Sequence, residues 1–91
     1  MNPERTGYLL LKVISPEAML LEAEVSEVQV PGLDGYLGIW PGHRPLNACL
    51  TDGDIIYRLA SGQPGNLKIK GGLVTVESDK ILVLTGMSHD D

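Results

Sequence analysis

At 91 residues the chain has room for one domain, spanning 1–91, with an adequate but not generous core. Seven Lys plus Arg against twelve Asp plus Glu leave a formal net charge of −5 with the cations scattered singly, which argues against nucleic acid or an anionic lipid surface as partner, since both need a basic patch. The single Cys49 excludes an intramolecular disulfide and a cysteine metal cluster.

No stretch approaches the roughly twenty apolar residues of a membrane span, and MNPERTGYLL lacks the hydrophobic run and cleavage site of a signal peptide. The expectation is a cytosolic domain that meets a protein partner or a neutral ligand.

Residues 1–7 are polar and expected to be loose, as is the tail 87–91. From Tyr8 to Ile14, Leu9, Leu11 and Val13 share one face of a strand, with Tyr8, Leu10, Lys12 and Ile14 on the other. Ser15-Pro16 followed by EAMLLEAE carries good helix signals. Against them, Leu21, Ala23 and Val25 alternate with Glu22, Glu24 and Ser26, and Val28 and Val30 resume the alternation in opposite parity. One extra residue in a strand at Ser26-Glu27, a bulge, produces such a slip. The pattern alone leaves helix and bulged strand both open.

Pro31-Gly32 and Asp34-Gly35 are turn pairs leading into GYLGIWPGHRPL, Gly35 to Leu46. Its glycines, prolines and the chain's only Trp do poorly inside regular structure, and Trp, Tyr and Arg carry much of the binding energy at protein interfaces. A contact loop is one reading of the stretch; Trp40 covering one end of the core is the other. Leu46 to Leu50 reads as a short strand, and Ile55, Tyr57 and Leu59 as the inward set of the next. SGQPGN, 61–66, reads as a hairpin loop, and Leu67 and Ile69 against Lys68 and Lys70 as a half-exposed strand. Val74 and Val76 begin another strand, Ser78-Asp79 turns the chain, and Ile81 to Leu84 is apolar on both faces, as in a strand covered on both sides. Many short strands separated by turn residues predict an all-β fold, an antiparallel sandwich or barrel.

Chemistry finds little foothold. Cys49 and His43 are six apart across a proline loop, and Cys49 in its apolar run reads as a buried, inert thiol. Neither His43 nor the tail His89-Asp90-Asp91 has the paired histidines of a metal site. Glu22, Glu24 and Glu27 read as the wet face of their segment, and Lys70-Gly71-Gly72 has the order of a phosphate loop reversed. No catalytic, cofactor or metal site is predicted.

Three blocks, LLLKVISPEAMLLEAEVSEVQVPGLDGYLGIWPGHRPL, IIYRLASG and KGGLVTVESDKILVLTG, resemble the epsilon subunit family of the F-type ATP synthase, in its N-terminal β-sandwich domain. They cover the chain from about Leu9 to Gly86, and Gly-x-Leu-Gly-Ile-x-Pro-Gly-His is the specific part. The resemblance implies an antiparallel β-sandwich of two packed sheets of about five strands each, with Met19 to Val30 a long bent strand bulged near Ser26. It implies a non-catalytic rotor part of a proton- or sodium-translocating synthase, peripheral on the inner face of the plasma membrane without inserting into it. Its partners would be the gamma shaft, the polar loops of the c-subunit ring and, through the shaft, the catalytic head. The contact residues implied are Asp34, Tyr36, Trp40, Pro41, Gly42, His43 and Arg44. His43 matches the family histidine, whereas Tyr36 stands where many members carry an acidic ring contact, and Asp34 is the substitute expected if it shares Tyr36's strand face. The chain stops at Asp91 without the family's helical hairpin, so hairpin inhibition and that hairpin's ATP site are expected to be missing. The competing reading is a stand-alone β-sandwich binding a peptide or sugar through Trp40, Tyr36 and His43; the apolar outer residues Leu82, Leu84 and Ile56 favour a permanent protein partner.

Overall fold

Alternation of apolar and polar residues fixes which edge and face each segment offers, and the long segment after Ser15 organises the rest. In the computed structural model, which describes residues 7–86, that segment is strand from Met19 to Gly32. The strands in chain order are β1 (Leu9–Ile14), β2 (Met19–Gly32), β3 (Gly35–Ile39), β4 (Leu46–Leu50), β5 (Gly53–Leu59), β6 (Pro64–Ile69), β7 (Gly72–Glu77) and β8 (Lys80–Leu84). Among the described residues there is no α-helix.

Ser15 carries out its capping chemistry in a turn instead. Its hydroxyl accepts from the Glu17 and Ala18 amides at 3.3 and 3.2 Å, and Ser15 N donates to Ala18 O at 2.8 Å, which sends the chain back along β1. Pairing along both edges then overrides the helical propensity of EAMLLEAE. The bulge is where the parity changes: Val25 pairs with Leu59 and Glu27 with Arg58, so β2 advances two residues while β5 advances one. Leu21, Ala23 and Val25 before it and Val28 and Val30 after it thereby all turn toward the core.

The bend lets β2 serve two layers. Its first half pairs with β1, and that layer continues through β8 and β7 to β4; its second half lies between β3 and β5, with β6 outside β5. The layers meet again where Gly32 pairs with Leu50. Between them lies an aliphatic core that includes Leu9, Leu11, Val13, Val28, Val30, Ile39, Ile55, Val74, Ile81 and Val83, each at most 1% exposed. The buried Thr85 is satisfied, its hydroxyl accepting from Lys70 N at 3.1 Å and donating to Gly71 O at 2.8 Å.

Four expectations need correction. One pairing, β1 with β8, is parallel. β1 takes its antiparallel partner β2 on one edge, and the direction of β8 on the other is already set by the tight hairpin with β7. The loop expected over 61–66 is shorter, because Leu59 N donates to Gln63 O at 2.8 Å and β6 begins at Pro64. Cys49 is exposed, since Leu46, Ala48 and Leu50 take the inward parity of β4 and leave Asn47 and Cys49 outside. β8 is covered on one face alone within this chain: Ile81 and Val83 are buried while Leu82 is 36% exposed. The loose termini expected over 1–7 and 87–91 lie outside the described residues, apart from Gly7.

Candidate functional site

The stretch Gly35 to Leu46 is divided by the fold into a strand and a loop. β2 and β3 form a hairpin whose turn is Leu33-Asp34, closed by the pair Gly32 and Gly35. Gly35, at φ +127°, takes the left-handed excursion that a side chain there would resist. Leu33 projects at the tip, 66% exposed, beside the exposed Asp34. Asp34 therefore belongs to the turn and not to a strand face shared with Tyr36. Tyr36, half-exposed on β3, is held by its hydroxyl, which donates to Asp54 O at 3.0 Å and accepts from Asp54 N at 3.3 Å. Around it on β5 and β6, Asn66 Nδ2 donates to Asp54 Oδ2 at 3.3 Å and Lys68 Nζ stands 3.7 Å from Asp54 Oδ1.

Trp40 to Pro45 form the loop at the other end of β3, roughly 15 Å away for a strand of this length. The structure thus brings Trp40, Pro41, Gly42, His43 and Arg44 together and sets Asp34 and Tyr36 apart from them. Trp40 is 52% exposed, and its indole N–H donates to Glu27 Oε1 at 3.2 Å. Glu27 in turn faces Arg58, Oε2 to Nε 3.6 Å, and Arg58 donates to Gly62 O at 2.8 Å. An exposed ion pair of this kind adds little stability. Its effect is to fix the carboxylate that orients the indole. Pro41-Gly42 makes a tight turn closed by His43 N donating to Trp40 O at 3.1 Å, with Gly42 at φ +86°. The Gly42 amide donates to Asp79 Oδ1 at 2.9 Å, and His43 Nδ1 lies 2.7 Å from Arg44 O.

A third surface is only partly legible in the sequence. Registers across the outer face of the first layer align Ile14 with Leu84, Leu84 with Leu73 and Leu73 with Cys49, and Leu20 lies on the same face next to the Ile14–Met19 pair. Leu20 and Leu73 are 44% and 50% exposed. Beside this apolar row, Leu10, Lys12, Ile14, Thr75, Lys80 and Leu82 line most of a shallow groove of about 670 Å³. The two-faced apolar run of β8 singles out Leu82 and Leu84. Leu20, Leu73 and Cys49 follow from strand parity once the registers are known, and parity is the signal that would have found them.

Residues 8–87 match the family model described as the ATP synthase delta/epsilon chain, beta-sandwich domain. The chain belongs to that family. It is 39% identical over 81 residues to an ATP synthase epsilon chain of Solibacter usitatus, covering 89% of this chain and 60% of that one. A Chlorobium limicola ATP synthase epsilon chain is 35% identical over 75 residues, covering 82% of this chain and 85% of its own length. Against the first of these relatives the chain thus spans about 60% of the relative's length. Among solved structures, a chain of the Euglena gracilis mitochondrial ATP synthase, in a structure of its OSCP, F1 and c-ring, shares the fold with a TM-score of 0.81 at 18% identity. That match covers 87% of this chain and 51% of the other. A chain of the Tetrahymena thermophila mitochondrial ATP synthase central stalk and c-ring gives 0.72 at 17% identity, covering 85% and 62%.

The family's β-sandwich carries its specific motif here as β3 and the loop after it. Tyr36 and Trp40, the aromatic pair of the peptide- or sugar-binding reading, lie near opposite ends of β3, with Gly38 between them beneath the Trp40 ring. Among the described residues no three or more of His, Cys, Asp and Glu stand together as a metal site, and no helix is long and apolar enough to cross a membrane.

Proposed function

We propose that this chain is a non-catalytic central-stalk rotor subunit of an F-type ATP synthase, coupling rotation of the c ring to the gamma shaft and, through it, to the catalytic head. The observation that carries the reading is the apolar row Leu20, Ile14, Leu84, Leu73 and Cys49 across a sheet of a family member whose relatives are ATP synthase epsilon chains. A row of apolar side chains across one sheet face, with leucines left half-exposed in it, is the surface of a lasting protein interface.

In this reading the Leu33-Asp34 turn, with Tyr36 behind it, rests on the polar loops of the c ring. The apolar row and the loop Trp40, Pro41, Gly42, His43 and Arg44 meet the gamma shaft. Two layers that share β2 and an aliphatic core make a body that transmits torque with little internal give. Asp34 supplies the acidic contact at the ring, from the turn. The subunit lies on the inner face of the plasma membrane, attached through the complex.

The test is binding of the chain to purified c ring, comparing wild type with Asp34→Lys and Tyr36→Lys. Both variants are expected to bind more weakly. Binding by Asp34→Lys equal to wild type would remove Asp34 from the ring contact.

A further inference from the structure

The β7–β8 hairpin turns through Ser78 and Asp79, both at positive φ, 51° and 61°, which is the backbone a two-residue hairpin turn requires. Asn and Asp tolerate that conformation well among residues with side chains, and glycine tolerates it best. Asp79 does two further things. Its carbonyl accepts from Leu10 N at 3.0 Å, which fixes the turn to the start of β1, and its carboxylate accepts from Gly42 N at 2.9 Å.

Gly42 lies thirty-seven residues away in the chain, in the loop between β3 and β4. That loop is held on its other side by the indole bond from Trp40 to Glu27, a residue of the second layer. Asp79 belongs to a hairpin of the first layer. The loop runs from β3 in the second layer to β4 in the first, and the Asp79 carboxylate adds a side-chain tie at Gly42, ahead of the point where the chain enters β4. Leu10, bonded to Asp79 through the backbone, lines the outer groove of the same layer. A continuous path, Leu10 to Asp79 to Gly42 to His43, joins the groove face to the loop.

We propose that Asp79 is a positioning residue, which presets the Trp40–Arg44 loop in the conformation that engages the gamma shaft and keeps it in register with the outer face of the first layer. The proposal rests on the functional reading above, in which that loop meets gamma. A charge-assisted bond to a backbone amide in a glycine turn removes conformations that would otherwise have to be frozen out on binding, so its loss appears mainly as faster dissociation.

Two substitutions separate this role from a merely structural one. Asp79→Gly keeps the positive φ and removes the acceptor, whereas Asp79→Asn keeps both the turn and an oxygen that accepts from Gly42 N. In the free chain, hydrogen exchange of the Gly42 amide is expected to accelerate roughly tenfold in Asp79→Gly and to return toward wild type in Asp79→Asn, with the thermal midpoint of Asp79→Gly unchanged. Dissociation from purified gamma subunit is expected to be roughly five- to tenfold faster for Asp79→Gly and near wild type for Asp79→Asn. Wild-type dissociation rates for Asp79→Gly, or Gly42 exchange that ignores the substitution, would overturn the proposal. Failure of the wild-type chain itself to bind gamma would overturn the functional reading and the binding consequence with it. The Gly42 exchange comparison then still decides whether Asp79 holds the loop.

Discussion

The indole N–H of Trp40 reaches Glu27 Oε1 at 3.2 Å by laying its ring back over Gly38, where a Cβ would stand 2.6 Å from the nearest ring carbon. The missing side chain at Gly38 is what gives the ring its resting place on the face of β3. Gly38→Ala is expected to lift the ring, break the bond to Glu27 and cost about 1 kcal/mol. Because Trp40 is the chain's only tryptophan, its emission reports the change directly: a red shift and a lower urea midpoint are expected, and an unchanged spectrum would show that the ring rests elsewhere.

Gly72 opens β7 at φ +136°, and a Cβ built there would collide with the carbonyl of Leu84 on the neighbouring strand. Neither side of that contact is a flexible side chain, so the two backbones must part. Gly72→Ala is expected to lose about 3 kcal/mol or more, a large share of the stability of a domain this size. Gly71, at φ +58° with ordinary clearance around it, is the comparison: Gly71→Asn is expected to lose under about 1 kcal/mol. Equal denaturant midpoints for the two variants would contradict this assignment of strain.

The bulge makes a sharper demand. With Ser26 deleted, Val25 and Val28 stand two apart and both face the core in a regular strand, because the side-chain period of a strand is two, and the bulge is removed. The deletion variant is expected to keep the dispersed amide spectrum of a folded domain and to melt at a lower temperature, because the local bend that lets β2 serve both layers is lost. A melting midpoint equal to that of the wild type would mean that the bulge does not set the bend of β2.

Leu73 is half-exposed and lies between Leu84 and Cys49 in the apolar row. Leu73→Glu is expected to leave stability within about 0.5 kcal/mol, as is usual for an exposed site, while abolishing detectable binding to gamma subunit, since it sets a charge where apolar surface is to be desolvated. Thermal melting and a binding titration on the same sample separate the two effects. A variant that binds normally would take the row out of the interface.

Much of the fold is legible in the sequence, and for identifiable reasons. Leu9, Leu11 and Val13 announce their face by alternation, and the parity slip at Ser26 marks the bulge in the pattern of residues alone. The same alternation holds for Cys49, which shares its parity with Asn47 and not with Ala48 or Leu50; taking LNACL as an undivided apolar run hides that. Leu82 illustrates a different limit. A strand apolar on both faces shows that each face is to be covered, and carries no sign of whether the cover comes from this chain or from another. The parallel pairing of β1 with β8 and the bond from Gly42 to Asp79 join segments far apart in the chain, and no local pattern encodes either. Within the site, the motif locates the residues, but the division of Gly35–Leu46 into a strand with Asp34 beyond one end and Trp40 at the other emerges only from the registers.

The most direct measurement is a titration of this chain, as it stands, into purified gamma subunit, followed by gel filtration of the mixture. A saturable one-to-one complex that elutes as a single species is the expected result. Separate elution of the two proteins, with no heat of binding at any ratio, would contradict the claim that this sandwich works by being held between the ring and the shaft.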